Sequence, residues 1–172
     1  MLSGKKKFWT QQRPYWNMEI EPFLNTRDLK QLQLEKLKVQ VGKLYANSPF
    51  HQKRLKSNGV TPETIEKWKS LDDFSRDVPI YDKSTMREHA KEHNGDLIKV
   101  IESEAIAPLD QLTLINSTTG TTGAPSPYPF STYDVVNVWG ELLARGCWRA
   151  GIRPSDRILH CFALSMVIGG TG

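Results

Sequence analysis

The pattern of hydrophobic and polar positions divides the chain into a helical first half and a second half that mixes strands with one long helix. Apolar residues recur every three or four positions from about residue 28 to Ala46, which predicts an amphipathic scaffold helix. Asn25 and Thr26 supply its N-cap, and Asp28 places a negative charge in its first turn. One side of this helix is apolar and carries Leu29, Leu32, Leu37, Val41, Leu44 and Tyr45.

Proline and glycine divide the next fifty residues into short helices. Pro49 and Gly59 bracket a first helix, and Thr61-Pro62-Glu63 starts a second with proline at its first helical position. Asp82 caps a third helix that ends near residue 94. The first half of the chain is therefore expected to be a helical segment.

Strand and helix alternate in the second half of the chain. Residues 97–108 are expected to form a strand and a loop, and Leu112–Ile115 is short, apolar and β-branched like a buried strand. Helical periodicity runs from about residue 131 to Gly151, and Ile158–Phe162 follows as a second core strand. This order predicts a right-handed crossover in a parallel or mixed sheet. The long helix is expected to bury Val135, Val138, Trp139, Leu142, Leu143, Gly146, Cys147 and Ala150, with Gly146 allowing a close approach by another element.

A run of hydroxyl residues and glycines follows the first of these strands. Gly120 and Gly123 can adopt positive φ, so that consecutive N–H groups can turn inward and form a nest for anionic oxygens. The hydroxyls add donors that rotate to suit phosphate geometry. The sequence therefore predicts a phosphate-binding loop, against the alternative of a polar surface turn. Its residues are Ser117, Thr118, Thr119, Gly120, Thr121, Thr122 and Gly123.

This loop matches neither the Walker A pattern nor the dinucleotide-binding fingerprint. The prolines at 125, 127 and 129 alternate after it, so their missing donors lie along one side of an extended strand. An edge strand, or one that pairs chiefly through its other side, is expected there.

The loop resembles the phosphate motif of the adenylate-forming (AMP-binding) superfamily, which reads two small hydroxyl residues, Gly, Thr, Thr, Gly, Lys and Pro. Ala124 stands at the lysine position, and Pro125 follows as in the motif. Further segments are similar to the N-terminal region of phenylacetate-CoA ligases, from about Tyr15 onward. They are Tyr15-Trp16-Asn17, Leu32-Gln33 with Leu37 and Val41, Ser48-Pro49-Phe50, Ser70-Leu71-Asp72-Asp73-Phe74, Gly151-Ile152-Arg153-Pro154-Ser155-Asp156-Arg157 and Gly169-Gly170.

The resemblance implies an α/β fold, in which an N-terminal helical segment precedes the start of an adenylate-forming-enzyme N-terminal domain with a mixed sheet. It divides the chain into a flexible basic tail at 1–14, a helical segment at 15–96 and the beginning of the AMP-binding domain at 97–172. The rest of that domain and the C-terminal domain would lie downstream, together with the catalytic residues. The chain alone is then expected to be inactive.

The implied activity is AMP-forming ligation of an aryl, phenylacetate-like or related acid to coenzyme A, with ATP, Mg²⁺ and coenzyme A taking part. The seven loop residues would bind the phosphates of ATP. The family carries aromatic residues at the positions of Leu164 and Val167, so a differently shaped acid is plausible. The acid pocket implied by the resemblance comprises Phe162, Leu164, Val167, Gly169 and Gly170.

Composition adds little to this picture. The net charge of +4 gives weak support for a polyanionic partner, and Lys5-Lys6-Lys7 is the one dense basic run. No apolar stretch reaches the roughly 20 residues of a membrane span, and no signal-peptide pattern is present. Cys147 and Cys161 have no redox or zinc spacing and are expected to be reduced thiols of a cytoplasmic protein. A small-molecule acid is the expected partner, alongside a homodimer or a complementing downstream fragment, with neither nucleic acid nor membrane.

Two alternatives remain open. The segment His89-Ala90-Lys91-Glu92-His93 fits the H-x-x-E-H pattern, in which two histidines on one helix face could hold zinc with Glu92 beside them. A non-catalytic nucleotide- or partner-binding module built on half of the fold is the other alternative.

Overall fold

The computed structural model describes residues 28–117, 126–159 and 161. Six helices come first, and a 3₁₀ turn at Leu109–Gln111 leads into two strands and a final helical segment. The loop residues 118–123, the acid-pocket residues and the N-cap residues Asn25 and Thr26 lie outside the described residues. The elements are α1 Asp28–Asn47, α2 Pro49–Ser57, α3 Pro62–Lys67, α4 Leu71–Asp77, α5 Lys83–Glu92, α6 Leu97–Glu104, β1 Leu112–Ser117, β2 Pro127–Ser131, a π-helical turn Asp134–Trp139 and α7 Gly140–Arg149.

Each short helix begins at a side chain that accepts a hydrogen bond from the backbone of the first turn. Ser48 caps α2, Thr61 caps α3 and Asp82 caps α5, the last with a 2.9 Å bond from the Thr85 N–H to Oδ1. Because the first N–H groups of a helix have no partner within it, these caps fix where short helices start. The predicted starts of these three helices are confirmed.

A reciprocal cap stabilises the start of α4. The Asp73 N–H donates to Ser70 Oγ at 3.4 Å, and the Ser70 N–H donates to Asp73 Oδ2 at 3.1 Å. We expect Ser70→Ala to lower the free energy of unfolding by about 1 kcal/mol, because the Asp73 N–H loses the hydroxyl that accepts its hydrogen bond. Urea denaturation measures the change. Ser75→Ala, at an exposed position within the same helix, is the matched control, and an equal loss in both variants would contradict this role for Ser70.

The described core lies among the first four helices. Two side chains of α1, one of α2 and three from the α3 region pack together, and residues of α4 close the edge. Trp68 is the largest of the buried residues, and its ring meets Phe74 edge to face with centroids 5.8 Å apart. The cluster contains Leu34, Val41, Leu55, Val60, Ile65 and Trp68, with Tyr45, Leu71, Phe74 and Val78 packed against it.

Residues 97–104 form a helix, so the predicted strand at this position is wrong. The Asp96 side chain accepts hydrogen bonds from the N–H groups of Ile98 and Lys99, and α6 buries Val100 and Ile101. Apolar pairs separated by three positions fit a helix face as well as a strand, and the cap at Asp96 decides between them.

The described sheet consists of β1 and β2, which pair antiparallel from Leu112 opposite Ser131 to Ser117 opposite Pro127. The two strands and surrounding helices agree with the predicted α/β class. Within the described residues β2 has β1 as its partner, in keeping with the edge strand predicted from its prolines. The parallel pairing predicted for Ile158–Phe162 is not seen in the described part of that segment, where residues 158 and 159 are exposed and outside any strand. A strand forms where a neighbouring strand hydrogen-bonds to its backbone, and a short apolar run does not show that such a neighbour is present.

The long helix after β2 forms as predicted, but its apolar residues are not buried as predicted. The Ser131 N–H donates to Asp134 Oδ2 at 2.9 Å, and the Asp134 N–H donates to Ser131 Oγ at 3.3 Å. The helix ends before Gly151, which has a φ of +91°. Its large apolar residues are mostly exposed, and a Cβ added at Gly146 would meet nothing within 4 Å. The close approach expected at Gly146 is therefore absent from the part of the chain that the structure describes.

Candidate functional site

The predicted phosphate loop starts at the end of the hairpin. Ser117 is the last residue of β1 and lies opposite Pro127, the first residue of β2. Ser117 is thus a strand residue, whereas the sequence interpretation placed it in the loop. Strands paired in this way hold the two ends of their connection within roughly 5.5 Å of each other. The hairpin therefore brings the two ends of the glycine- and hydroxyl-rich connection close together.

Asn116, next to this connection, was not singled out from the sequence. It is a buried polar residue of β1 and lies opposite Tyr128 of β2. A single asparagine in an apolar strand carries no distinctive sequence signal, so only the structure reveals its burial at the end of the hairpin.

The proposed zinc ligands lie in a different place and do not form a metal site. His89 is buried, with Nε2 2.7 Å from Ser103 Oγ and Nδ1 3.4 Å from Glu92 Oε2. The His93 ring meets the His89 ring edge to face, with centroids 4.7 Å apart. Among the described residues no three His, Cys, Asp or Glu side chains are arranged to hold a metal ion. The zinc hypothesis is therefore wrong, because both ring nitrogens of His89 are already engaged within the fold.

His89 belongs instead to a polar and aromatic cluster that joins α2, α5 and α6. Its ring packs on Phe50 with centroids 3.9 Å apart, and the nearby Tyr81 hydroxyl donates to Glu104 Oε1 at 2.6 Å. The Arg54 guanidinium lies 5.0 Å from the centre of the Tyr81 ring. Burial, followed by the hydrogen bond to Glu104, raises the pKa of Tyr81 above its usual range. The sequence could not reveal this cluster, because its members come from separate elements.

His51 is the pH-sensitive member of this cluster. The pKa of His51 is lowered to about 4. Burial of the ring is the largest cause, and the charges of Arg54 and His89 are the smaller ones. The unfolded chain, with a His51 pKa near 6.5, therefore takes up the proton first as pH falls. The stability contributed by neutral His51 is complete above about pH 6.5 and declines toward pH 4.

We expect this decline to be on the order of 1–2 kcal/mol, since the ring is only partly shielded from water. Urea denaturation between pH 7 and pH 4.5 measures it. His51→Gln should remove that part of the pH dependence, and identical pH profiles for the two proteins would contradict the assignment to His51. Comparison with this variant separates His51 from carboxylates such as Asp82, whose pKa is lowered to about 2 by hydrogen bonds from Thr85 and Ser84.

A cleft of about 460 Å³ runs between α2 and α5 beside this cluster. Lys53 and Arg54 of α2 line one side, and Glu88, His89 and Glu92 of α5 line the other. No residue of the β1–β2 hairpin lines it. The cleft is therefore separate from the end of the hairpin at which the predicted phosphate loop begins.

Comparison with known proteins identifies proteins that are similar to this chain. No protein-family model matches it. Phenylacetate-coenzyme A ligase of Escherichia coli is 26% identical over 158 residues, which cover 91% of this chain and 33% of that protein. The enzyme of the same name from Thermus thermophilus is 28% identical, over 90% of this chain and 32% of that protein. The chain is similar in sequence to phenylacetate-CoA ligases. The resemblance predicted from its sequence is confirmed, and the chain spans about a third of the length of these relatives.

Solved structures share the fold of this chain. 2-Hydroxyisobutyryl-CoA ligase in the postadenylation state with 2-HIB-AMP superimposes with a TM-score of 0.61 at 23% identity, over 75% of this chain and 25% of that one. The same enzyme with 2-HIB-AMP and CoA in the thioesterification state also gives 0.61, at 22% identity, over 83% of this chain and 32% of that one. The fold of most of this chain is therefore also found within 2-hydroxyisobutyryl-CoA ligase.

The described residues bear on some of the other sequence predictions and not on others. The acid-pocket residues Phe162, Leu164, Val167, Gly169 and Gly170 lie outside the described residues and stay a prediction. Cys147 and Cys161 are free cysteines, as expected. None of the described helices has the length and apolar character needed to cross a membrane.

Proposed function

We propose that this chain forms the N-terminal part of an AMP-forming carboxylate–CoA ligase that acts on an aryl, phenylacetate-like or related acid. The observation that carries the proposal is the match to four phenylacetate-CoA ligases, each along 84% to 91% of this chain. The proposal keeps the division into a basic tail at 1–14, a helical segment at 15–96 and the beginning of the AMP-binding domain from residue 97. It also assigns the protein to the cytoplasm.

The proposed reaction has two steps. The carboxylate of the acid attacks the α-phosphate of ATP, forming an acyl-adenylate and releasing pyrophosphate. The thiol of coenzyme A then attacks the acyl carbon, forming the thioester and releasing AMP. The first step needs oriented donors around the phosphates that leave, because negative charge develops on them.

The segment that begins at Ser117 has the donor chemistry for this task. Hydroxyls and glycine amides bind phosphate oxygens without adding a fixed charge, and the hairpin closes the segment at its base. We assign phosphate binding to Ser117, Thr118, Thr119, Gly120, Thr121, Thr122 and Gly123. Mg²⁺ bound with the nucleotide would offset its negative charge. Because Ala124 stands where the motif has lysine, a cation from another position would have to take over that contact.

The acid is assigned to the segment that follows the long helix. Phe162, Leu164, Val167, Gly169 and Gly170 would line its pocket. Leucine and valine fill less of such a pocket than aromatic residues do, so the proposal favours an acid whose shape differs from that of phenylacetate. A panel of aryl and aliphatic acids distinguishes these substrates.

The function is tested on a complemented assembly. This assembly is the full chain co-produced with a polypeptide that supplies the remaining two thirds of a phenylacetate-CoA ligase, such as the E. coli relative. Pyrophosphate release that requires both ATP and an acid supports the proposal. Calorimetry of the chain alone with ATP distinguishes the binding-module alternative, because a dedicated module binds ATP tightly without the rest of the fold, whereas a ligase part binds it poorly.

A further inference from the structure

The helical segment from Asp134 to Arg149 presents a row of large apolar residues to solvent. Val136 is 61% exposed, Leu142 66% and Leu143 54%, and Trp139 between them is 42% exposed. Of these four residues, Leu142 and Leu143 follow Trp139 by three and four positions and lie on the same side of the helix, and Val136 precedes Trp139 in the π-helical turn. We call them the apolar helix face. Monomeric proteins seldom leave an apolar row of this kind uncovered.

The helix that carries this face is held firmly by its neighbours in sequence. The Ser131–Asp134 cap fixes its start, and the Trp139 ring meets Phe130 of β2 edge to face with centroids 5.7 Å apart. Glu141 Oε1 and Arg145 Nη2 form an ion pair at 2.9 Å one turn apart. The apolar helix face is therefore part of a helix that contacts strand β2 of the hairpin through Trp139 and Phe130.

We propose that the apolar helix face is the surface on which the remaining two thirds of the ligase fold packs. This inference rests on the proposed function and adds the place where the two parts meet. Its second basis is length, since the chain spans 33% of the E. coli relative and 25% of the solved 2-hydroxyisobutyryl-CoA ligase that shares its fold. The helix has the periodicity of a core helix, and the described residues leave its apolar face uncovered. In the proposed assembly this cover comes from the other two thirds of the fold.

The chemistry of the face indicates what covers it. Aliphatic side chains and one indole make up the face, and the ion pair of Glu141 with Arg145 uses charges beside it within the same helix. The occupant is therefore an apolar element of the ligase fold, and electrostatic attraction contributes little to its binding. Association is expected to persist at high salt, because burial of apolar surface is not screened by ions.

Two valine-to-aspartate substitutions compare the effect of a charge on the apolar helix face with the effect of a charge elsewhere on the surface. Val136→Asp places a carboxylate within the apolar helix face, whereas Val39→Asp places one on α1 at an equally exposed valine, 60% against 61%. Val39 lies in α1 and Val136 lies in the π-helical turn. Leu142→Asp serves as a second variant of the face. Circular dichroism and urea denaturation verify that all three variants fold.

The experiment measures the affinity between the chain and the polypeptide that supplies the rest of the fold, together with the mass of the complex by light scattering. We expect a 1:1 complex, at least about tenfold weaker with Val136→Asp or Leu142→Asp and less than about twofold changed with Val39→Asp. An equal effect of Val39→Asp, a complex that forms only between copies of this chain, or the absence of any complex would overturn the proposal.

Pyrophosphate release in the same samples keeps the two proposals apart. A complex that depends on Val136 but releases no pyrophosphate would contradict the ligase function and leave the surface assignment standing. Acid-dependent release that is unaffected by Val136→Asp, at protein concentrations near the dissociation constant, would support the function and overturn the surface assignment.

Discussion

Replacing Trp68 by alanine is expected to lower the free energy of unfolding by about 3–5 kcal/mol, the largest effect on stability that we predict. Trp68 is 3% exposed in the core formed by the first four helices. Its indole Nε1–H donates to Asp77 Oδ2 at 2.9 Å, and its ring contacts Phe74 of α4. Alanine would leave a cavity and remove the side-chain link between the end of α3 and α4.

Urea denaturation followed by circular dichroism measures this loss. Trp68→Phe keeps much of the ring volume but removes the donor, so we expect a smaller loss of about 1–2 kcal/mol. Trp139→Ala is the control for removal of an indole, because Trp139 is 42% exposed whereas Trp68 is 3% exposed. A loss below about 1 kcal/mol for Trp68→Ala would contradict the position of Trp68 at the centre of the core.

Replacing Gly120 by valine is expected to reduce acid-dependent pyrophosphate release by the complemented assembly at least about 100-fold. If the segment after Ser117 binds phosphates through its amides, Gly120 needs a conformation that a β-branched residue adopts only at high cost. Each misplaced donor then fails to stabilise the charge that develops on the departing pyrophosphate. The expected change is therefore in the rate of adenylation and not in folding.

Gly42→Val is the matched control for this substitution. Gly42 lies in α1, where an added Cβ would meet nothing within 4 Å, and it is remote in sequence from the proposed loop. We expect pyrophosphate release to stay within about twofold for this variant, with both proteins folded by circular dichroism. Full activity of Gly120→Val would show that the loop has no part in phosphate binding.

The sequence was most informative where local chemistry decides local structure. Ser48, Thr61 and Asp82 cap the helices that were predicted to start there, because a cap needs only its own first turn. Ser131 and Asp134 likewise mark the start of the long helix. Residues 97–104 form a helix and not the predicted strand, because an eight-residue apolar and acidic stretch fits both periods and the Asp96 cap favours the helix.

Features that depend on distant residues could not be predicted. Periodicity showed that Leu142 and Leu143 lie on an apolar face, but the element that covers such a face is determined by tertiary contacts. The same holds for His89, whose spacing from His93 suggested zinc, although its actual partners come from α2 and α6. The predicted phosphate loop rests on a different kind of signal, a dense run of glycines and hydroxyls after a strand. The structure describes the strands on either side of it and, of the loop residues themselves, only Ser117.

Acid-dependent pyrophosphate release is the measurement that tests the central claim most directly. It is to be made in parallel on this chain alone and on the complemented assembly, with ATP, Mg²⁺ and a panel of carboxylic acids. We predict that the chain alone releases none, and that the assembly releases pyrophosphate with at least one acid and forms the CoA thioester when coenzyme A is added. Release by the chain alone, or an assembly that forms but activates no acid, would contradict the claim that this chain is one part of an AMP-forming ligase.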